Sequence, residues 1–334
     1  MSRGRLLILS PAFHDYWRPI GAAFTRLGWD TAAVCYDDAL TLSAKVRVKL
    51  RGELPARLGC DDGWTTRHHS VRAREAVRAI RPDRVLVIKG DTLTEPFLDA
   101  LDRRRIPRSL WLYDELRRTA HTPNTLGRYD TIASYSARDT RVLSSRGHQA
   151  AHVLLAFDTD LRYRRRQVNE ITFVGARYPT REQLLRRLAA AEVNVRAHGR
   201  QWSDHLVDRL RTWRITSPEI STGRDLSRAD AYGLMAGSPA TLNLHGDQDG
   251  FTMRTFEAAG AGGVELIDRR DLADLYEPGT EVVPFGDIDE LIDLARRAVR
   301  DDRWGDAIRT AARRRTLAEH TFDHRARALE ASWG

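Results

Sequence analysis

Sulfur is scarce in this chain of 334 residues, with three methionines and only two cysteines, Cys35 and Cys60. Two such positions make neither a disulfide framework nor a metal-ligand spacing, so ordinary reduced thiols are expected. Lysine is scarcer than its charge suggests: Lys45, Lys49 and Lys89 are the only ones, and nearly all the positive charge is arginine. No apolar run approaches the length that crosses a bilayer, which excludes a membrane-spanning segment. The opening stretch MSRGRLLILSPAF is too short for a signal peptide and has no small-residue cleavage site. It predicts a first β-strand and a cytoplasmic protein. There is no tandem repeat, and the eleven histidines show no ligand spacing. His68 and His69 are adjacent in a polar stretch that reads as a solvated loop, so no metal is expected.

What is present is the composition of a soluble globular protein, 42% hydrophobic and 30% charged, in a chain long enough for two domains. The formal charge of +8 favours an acidic ligand and keeps nucleic acid among the partners to be weighed, although an arginine bias also follows from GC-rich coding alone.

Short aliphatic runs alternate with amphipathic stretches from end to end, the pattern of parallel-sheet α/β domains. In the first half, strands are predicted at 5–9, 31–36, 84–88, 109–113, 131–135 and 152–155. The stretch 44–81, with few apolar residues before Val71, reads as containing a loosely packed acceptor-side loop. The arginine-rich segment 158–170 reads as the interdomain linker. In the second half, strands are predicted at 171–174, 193–197, 240–244, 264–267 and 281–285. Capping boxes are read at Thr180 with Gln183 and at Asp287 with Glu290, and the apolar-periodic stretch 304–329 reads as one helix. The domains expected are 1–160 and 168–315, with a terminal helical segment, 316–334, crossing back onto the first.

Ligands of open parallel sheets bind outside the carboxyl ends of the strands, where helix N-termini also point. In the first half the residues just past strand ends include His14, Lys89, Asp91, Asp114 and Glu115; in the second they include Gly175, Arg177, His198, Arg200 and His245. The most informative stretch is DGFTMRTFEAAGAGG, from Asp249 to Gly263. Its glycine-containing loop, with Gly250, enters a helix near Thr252, so unpaired N–H groups and the positive dipole end face a diphosphate. Arg254 and Thr255 lie near that end, and Glu257 falls on the same face as Arg254, where a carboxylate can accept from two ribose hydroxyls. The same spacing also makes an ordinary helical ion pair. The small residues 258–263 allow close approach of helix, sheet and ligand.

Asp249 stands eight positions before Glu257 in a Glu-Ala-Ala-Gly run, and this resembles the acid-x7-Glu signature of retaining GT-B glycosyltransferases. The segments ITFVGARYPTREQLLRRL, NVRAHGRQW, RTFEAAGAGGVELIDRRDL and EHTFDHRARALE resemble the CgeB/YkvP-like (spore-maturation-protein-like) glycosyltransferases, over roughly 171–330, and only loosely before that. The resemblance implies two Rossmann-like domains facing each other across a cleft, and transfer of a sugar from a nucleotide sugar to a hydroxyl-bearing acceptor. It assigns the ribose to Glu257, the donor sugar to Asp249, and the diphosphate to Arg254 with the loop from Gly175 to Arg177. Asp replaces the usual Glu at 249, and the acid pair after an N-terminal strand is here Asp114 and Glu115. His14 is placed to orient or deprotonate the acceptor. Charge builds on the leaving diphosphate, so Arg254, Arg177 and Lys89 suit a metal-independent transfer, and the resemblance implies retention.

No cofactor is implied beyond the donor, whose base, of uridine or guanosine type, is not distinguished. Two other classes remain: the same chemistry on nucleic acid, from the arginine-rich stretches 45–81 and 103–108, and a non-catalytic nucleotide-sugar-binding module.

Overall fold

The computed structural model describes residues 3–38, 63–205, 208–209, 212, 218–272 and 274–333. It divides into two compact units, Met1–Leu154 with Phe322–Gly334, and Leu155–Thr321. The divisions fall at 154/155 and 321/322, so the segment expected to link the domains belongs to the second unit. The backbone explains why: Arg166 N–H donates to Gly233 O at 2.8 Å, and a Cβ on Gly233 would stand 2.1 Å from Arg164 O. Only glycine admits so close a strand of chain.

The first unit is built on β1 (Arg5–Ser10), β2 (Asp30–Cys35), β3 (Arg84–Ile88), β4 (Arg108–Leu112), β5 (Thr131–Ser134) and β6 (Ala150–His152). They form one parallel sheet in the order β2-β1-β3-β4-β5-β6. Leu6 to Leu9 and Val85 to Ile88 are all buried, as expected of strands covered on both faces. Helices α1 (Trp17–Arg26), α2 (Trp64–Ile80), α3 (Glu95–Asp102), α4 (Pro123–Leu126) and α5 (Ala137–Ser145) connect them. α2 replaces the loop predicted there: His69, Ser70, Ala73, Ala76 and Val77 form its buried face, a pattern that surrounding arginines obscured. Residues 44–62 of that expected loop, including Lys45, Lys49 and Cys60, lie outside the described residues. The Cys35 thiol is pushed up to about 12 by burial, with Asp37 and Asp38 adding to it, so it is not nucleophilic.

The second unit holds β7 (Ile171–Val174), α6 (Pro179–Ala190), β8 (Val195–His198), β9 (Ser221–Gly223), α7 (Arg228–Gly237), β10 (Thr241–Asn243), α8 (Met253–Ala261), β11 (Glu265–Ile267), β12 (Val283–Pro284), α9 (Ile288–Arg300) and α10 (Asp302–Glu319). Its parallel sheet runs β12-β11-β10-β7-β8-β9. β9, the short Ser-Thr-Gly segment, has no apolar pattern to betray it. Thr180 does not cap α6, because Pro179 takes the first helical turn and Tyr178 is the N-cap without a side-chain bond. Asp287 does cap α9, accepting from Glu290 N–H at 2.9 Å.

The stretch read as one terminal helix is two. It breaks at His320 and Thr321, where His320 O accepts the N–H of Phe157 at 2.9 Å and Thr321 bridges Phe157. The second piece, α11 (Phe322–Ala331), belongs to the first unit. There Asp323 receives Arg26 at 2.6 Å, Glu330 receives the Trp29 indole N–H at 2.7 Å, and Trp333 stacks on Phe24 at 5.3 Å.

Candidate active site

In the second sheet the chain winds from β7 through β8 to β9, then returns to β7's other side and continues through β10 to β12. The reversal leaves a crevice beyond the carboxyl ends of β7 and β10, the site where such sheets take ligands. The loops that meet there are 175–178 and 244–252.

The first loop is held from below. Gly175 N–H donates to His198 O at 3.0 Å, and its own carbonyl accepts the Trp202 indole N–H at 2.9 Å. A Cβ on Gly199 would fall 2.6 Å from Gly175 O, so glycine is required at that turn, where φ is +149°. Arg177 was expected to face a diphosphate. Its guanidinium is instead buried in a two-pronged pair with Glu182, at 2.7 and 2.8 Å, and 5.7 Å over the Trp202 ring. That hydrogen-bonded pair holds the Glu182 carboxyl below its usual range.

Arg181, one helical turn on, crosses the crevice. It donates to Ala176 O at 3.3 Å beyond β7, to Leu244 O beyond β10, and to Gln248 Oε1 at 3.5 Å, with its guanidinium 4.8 Å over Tyr178. The sequence reading missed it. The available signal was an arginine in the first turn of a helix, where the dipole disfavours a cation unless something local requires one.

The second loop is organised by Asp268, directly after β11. Its Oδ1 accepts the backbone N–H of His245 at 2.8 Å and lies 3.1 Å from His245 Nδ1, while its Oδ2 accepts Gly246 N–H at 3.0 Å. Burial would raise the Asp268 carboxyl, but these hydrogen bonds outweigh it and hold the group below its usual range. His245 is buried, with Nε2 accepting Thr252 N–H at 3.4 Å and standing 3.4 Å from Thr255 Oγ1. Asp268 thereby fixes the imidazole, and the imidazole fixes the entrance to α8. Asp268 was also missed, although it follows a predicted strand end like the residues that were chosen.

Asp249 is half-buried in this loop, its carbonyl accepting Arg269 Nη1 at 2.9 Å, and Gly250 beside it is buried. Thr255 is fully buried and accepts Asn243 Nδ2 at 2.9 Å. α8 starts at Met253 with no side-chain cap on its N-cap residue Thr252. Arg254 and Glu257 form the i,i+3 ion pair that their spacing allows. Glu257 is 0% exposed and also accepts the Tyr232 hydroxyl at 3.3 Å. Arg254 and Tyr232 thus cover that carboxylate. The glycines after it serve packing: a Cβ on Gly260 would stand 2.4 Å from the Phe157 ring, and Gly262 ends α8 with φ +81°.

His198 is buried against Gly223, and burial, with Arg196 and Arg166, pushes it down to about 4, so the ring is neutral near pH 7. Arg200, on the exposed side, pairs with Asp225 at 3.1 Å.

At the carboxyl edge of the first sheet, Lys89 follows β3 in the left-handed region, φ 63°, and its ammonium binds Asp114 at 2.7 Å. Burial works against the Lys89 charge. Asp114, helped by Asp91 and Asp37, overcomes that and raises its pKa. Glu115, expected beside Asp114, is buried against Arg117 and Arg118 at 2.9 and 3.0 Å. His14 and Asp15 also have positive φ, 49° and 56°, just past β1, and His14 meets the ring of Phe13 edge-on at 4.3 Å. Two consecutive non-glycine residues in that region store roughly 1–2 kcal/mol each, strain of the kind that gathers at functional sites.

Comparison with known proteins bears on this arrangement. Residues 177–331 match a family model described as glycosyl transferase-like, which contains α6, α8 and Asp268. Among solved structures, Anabaena HepE in complex with UDP-glucose superposes with a TM-score of 0.64 at 12% identity, covering 98% of this chain and 99% of that one. Sucrose-phosphate synthase from Thermosynechococcus elongatus gives 0.62 at 12%, covering 98% of each chain. The fold is GT-B. A UDP-N-acetylglucosamine 2-epimerase shares it, with a TM-score of 0.55 at 14% identity over 99% of this chain and 95% of that one. The GT-B architecture alone therefore leaves the reaction open, and the glycosyl transferase-like domain on it marks the chain as a glycosyltransferase. No curated protein matches the sequence. No helix among the described residues is long and apolar enough to cross a membrane.

Proposed function

We propose that the protein moves a sugar from a UDP-sugar to a hydroxyl of a small-molecule, glycan or protein acceptor, with retention and without a metal. The observation that carries this reading is the uncapped start of α8 at the switch point of the second sheet, braced by His245 and Asp268 and faced by Arg181. The N-terminal N–H groups of α8, its dipole and a guanidinium together suit a departing diphosphate. UDP as the leaving group is supported by the likeness to HepE, solved with UDP-glucose and with UDP. Arg254 leaves Glu257 for the diphosphate as the ribose hydroxyls replace it, and Asp249 contacts the sugar. With three positive contributions at the phosphates, no divalent ion is needed. Nucleic acid is not favoured as acceptor: the arginines of 103–108 lie before β4 and at its first residue, at the opposite end of the strands from His14, Lys89 and Asp114.

A thermal-shift screen of UDP, GDP and UDP-sugars tests it. A ligand at a hundredfold excess over its Kd adds about 2.7 kcal/mol to stability, so UDP is expected to raise Tm by several degrees and GDP by less. No rise with any of them would refute the nucleotide site, and epimerised free donor in place of transferred sugar would refute the reaction.

The bracing pair has its own outcome. Asp268→Asn withdraws the charge that three donors converge on, and is expected to weaken UDP about tenfold, since each hydrogen bond to a charged group contributes about 1.5–3 kcal/mol. Isothermal titration with the folded variant decides; affinity within twofold of wild type would remove the positioning role.

A further inference from the structure

A cavity of about 490 Å³ opens at the N-terminal ends of β3 and β4, on the edge of the first sheet away from the proposed acceptor loops. Its apolar lining residues are Ile106, Pro107 and Trp333, and its cations are Arg84, Arg105 and Arg108. Of its two acids, only Asp102 is paired with cations among the described residues. Asp102 receives both Arg108 and Arg128, and Asp130 accepts the backbone N–H of Arg108 at 2.7 Å.

Arg84 has no such partner. Its guanidinium lies 4.7 Å over the Trp333 ring, its hydrogen bond is a long one of 3.5 Å to Ser109 Oγ, and no carboxylate pairs with it among the described residues. Burial lowers its pKa, with Asp130 only partly opposing that. Arg105 stands exposed at a left-handed turn, φ 52°, also without an ion pair among the described residues. The Trp333 ring is clamped by Phe24 at 5.3 Å and Trp29 at 5.6 Å, and its indole nitrogen is buried with no acceptor among the described residues. A half-buried guanidinium and a second free one therefore border a hollow lined mainly by charged side chains, with Ile106, Pro107 and Trp333 among them. The volume is that of a small-ligand cleft.

We propose that this hollow binds a small organic anion, a carboxylate or phosphate monoester on an apolar body, with the oxyanion on Arg84 and Arg105 and the body against Ile106, Pro107 and Trp333. Guanidinium forks match either oxyanion. The inference does not depend on the transfer reaction, since neither the α8 loop nor the His14 and Asp114 loops contribute to the hollow.

Phenyl phosphate, benzoate and inorganic phosphate, titrated into the full chain at fixed ionic strength and followed by calorimetry, test it. Saturable binding of phenyl phosphate or benzoate is expected, the tighter of the two naming the oxyanion. Inorganic phosphate, lacking the apolar body, is expected to bind about tenfold more weakly, in line with area burial. Arg84→Gln should weaken the aromatic anion about tenfold or more, and Arg105→Gln should weaken it several-fold. The UDP-induced rise in Tm should be unchanged in both. If Arg84→Gln does not fold, Arg105→Gln, an exposed position, decides by the same loss. The proposal is overturned by absence of saturable binding of both aromatic anions, by equal affinity for inorganic phosphate, or by full affinity in the folded arginine variants.

Discussion

Glu257→Gln is expected to weaken UDP binding by about 100-fold, because the carboxylate loses two charge-assisted hydrogen bonds to ribose hydroxyls, each contributing about 1.5–3 kcal/mol. The ligand-free geometry makes the test sharper. Glu257 has no exposed surface, and Arg254 and the Tyr232 hydroxyl already occupy its oxygens. On the proposed ribose assignment, binding exchanges one cation partner for two hydroxyl partners and sends Arg254 to the diphosphate. Uridine and UDP report on the two halves of that exchange separately. Glu257→Gln should weaken both ligands, whereas Arg254→Gln should weaken UDP and leave uridine unchanged or slightly improved, since it uncovers the carboxylate. An ion pair with no ligand role predicts a different pattern: a lower Tm in both variants with UDP affinity within twofold of wild type. That result would dismiss the ribose assignment.

The second large effect is expected on turnover. His14→Ala and Asp114→Asn, made separately, should each reduce kcat about 100-fold or more, the usual contribution of a positioned acid or base, with UDP affinity nearly unchanged. The motive is local to the first sheet. His14 and Asp15 are strained just past β1, and Asp114, just past β4, holds the Lys89 ammonium at 2.7 Å. Asp114→Asn also releases that ammonium, so Lys89→Met serves as its control. If the acid acts only by holding Lys89, the two variants should fall together; if it contacts the acceptor, Asp114→Asn should fall further. Normal turnover in both His14→Ala and Asp114→Asn would mean the acceptor is activated by other groups, the donor's own phosphate among them.

The sequence by itself determined the alternation of strand and helix, and with it the two parallel sheets. β3 and β7 lie within the predicted bounds because their aliphatic runs are buried on both faces and end at charged or glycine residues. Patterns of this kind are local, so they are readable in one dimension. The N-terminal cap of α9 was equally legible, since donor and acceptor are three residues apart. β9 and the break between α10 and α11 were not, because both exist through partners far along the chain: β8 for the first, and Phe157, paired with His320 and Thr321, for the second.

The candidate site divides in the same way. Strand ends and the loop entering α8 could be found from spacing, and so could the Arg254–Glu257 pair. Which cation faces the crevice could not. Arg177 and Arg181 are four residues apart and chemically identical, but Glu182 and Trp202 draw the first into a buried pair, while the carbonyls of Ala176 and Leu244 hold the second across the switch point. Asp268 gained its place only when β11 was laid beside β10, bringing its carboxylate to the backbone of His245 and Gly246, residues more than twenty positions earlier in the chain. Residue type and spacing fix what a side chain can do; which partner it meets is decided by contacts that only folding creates.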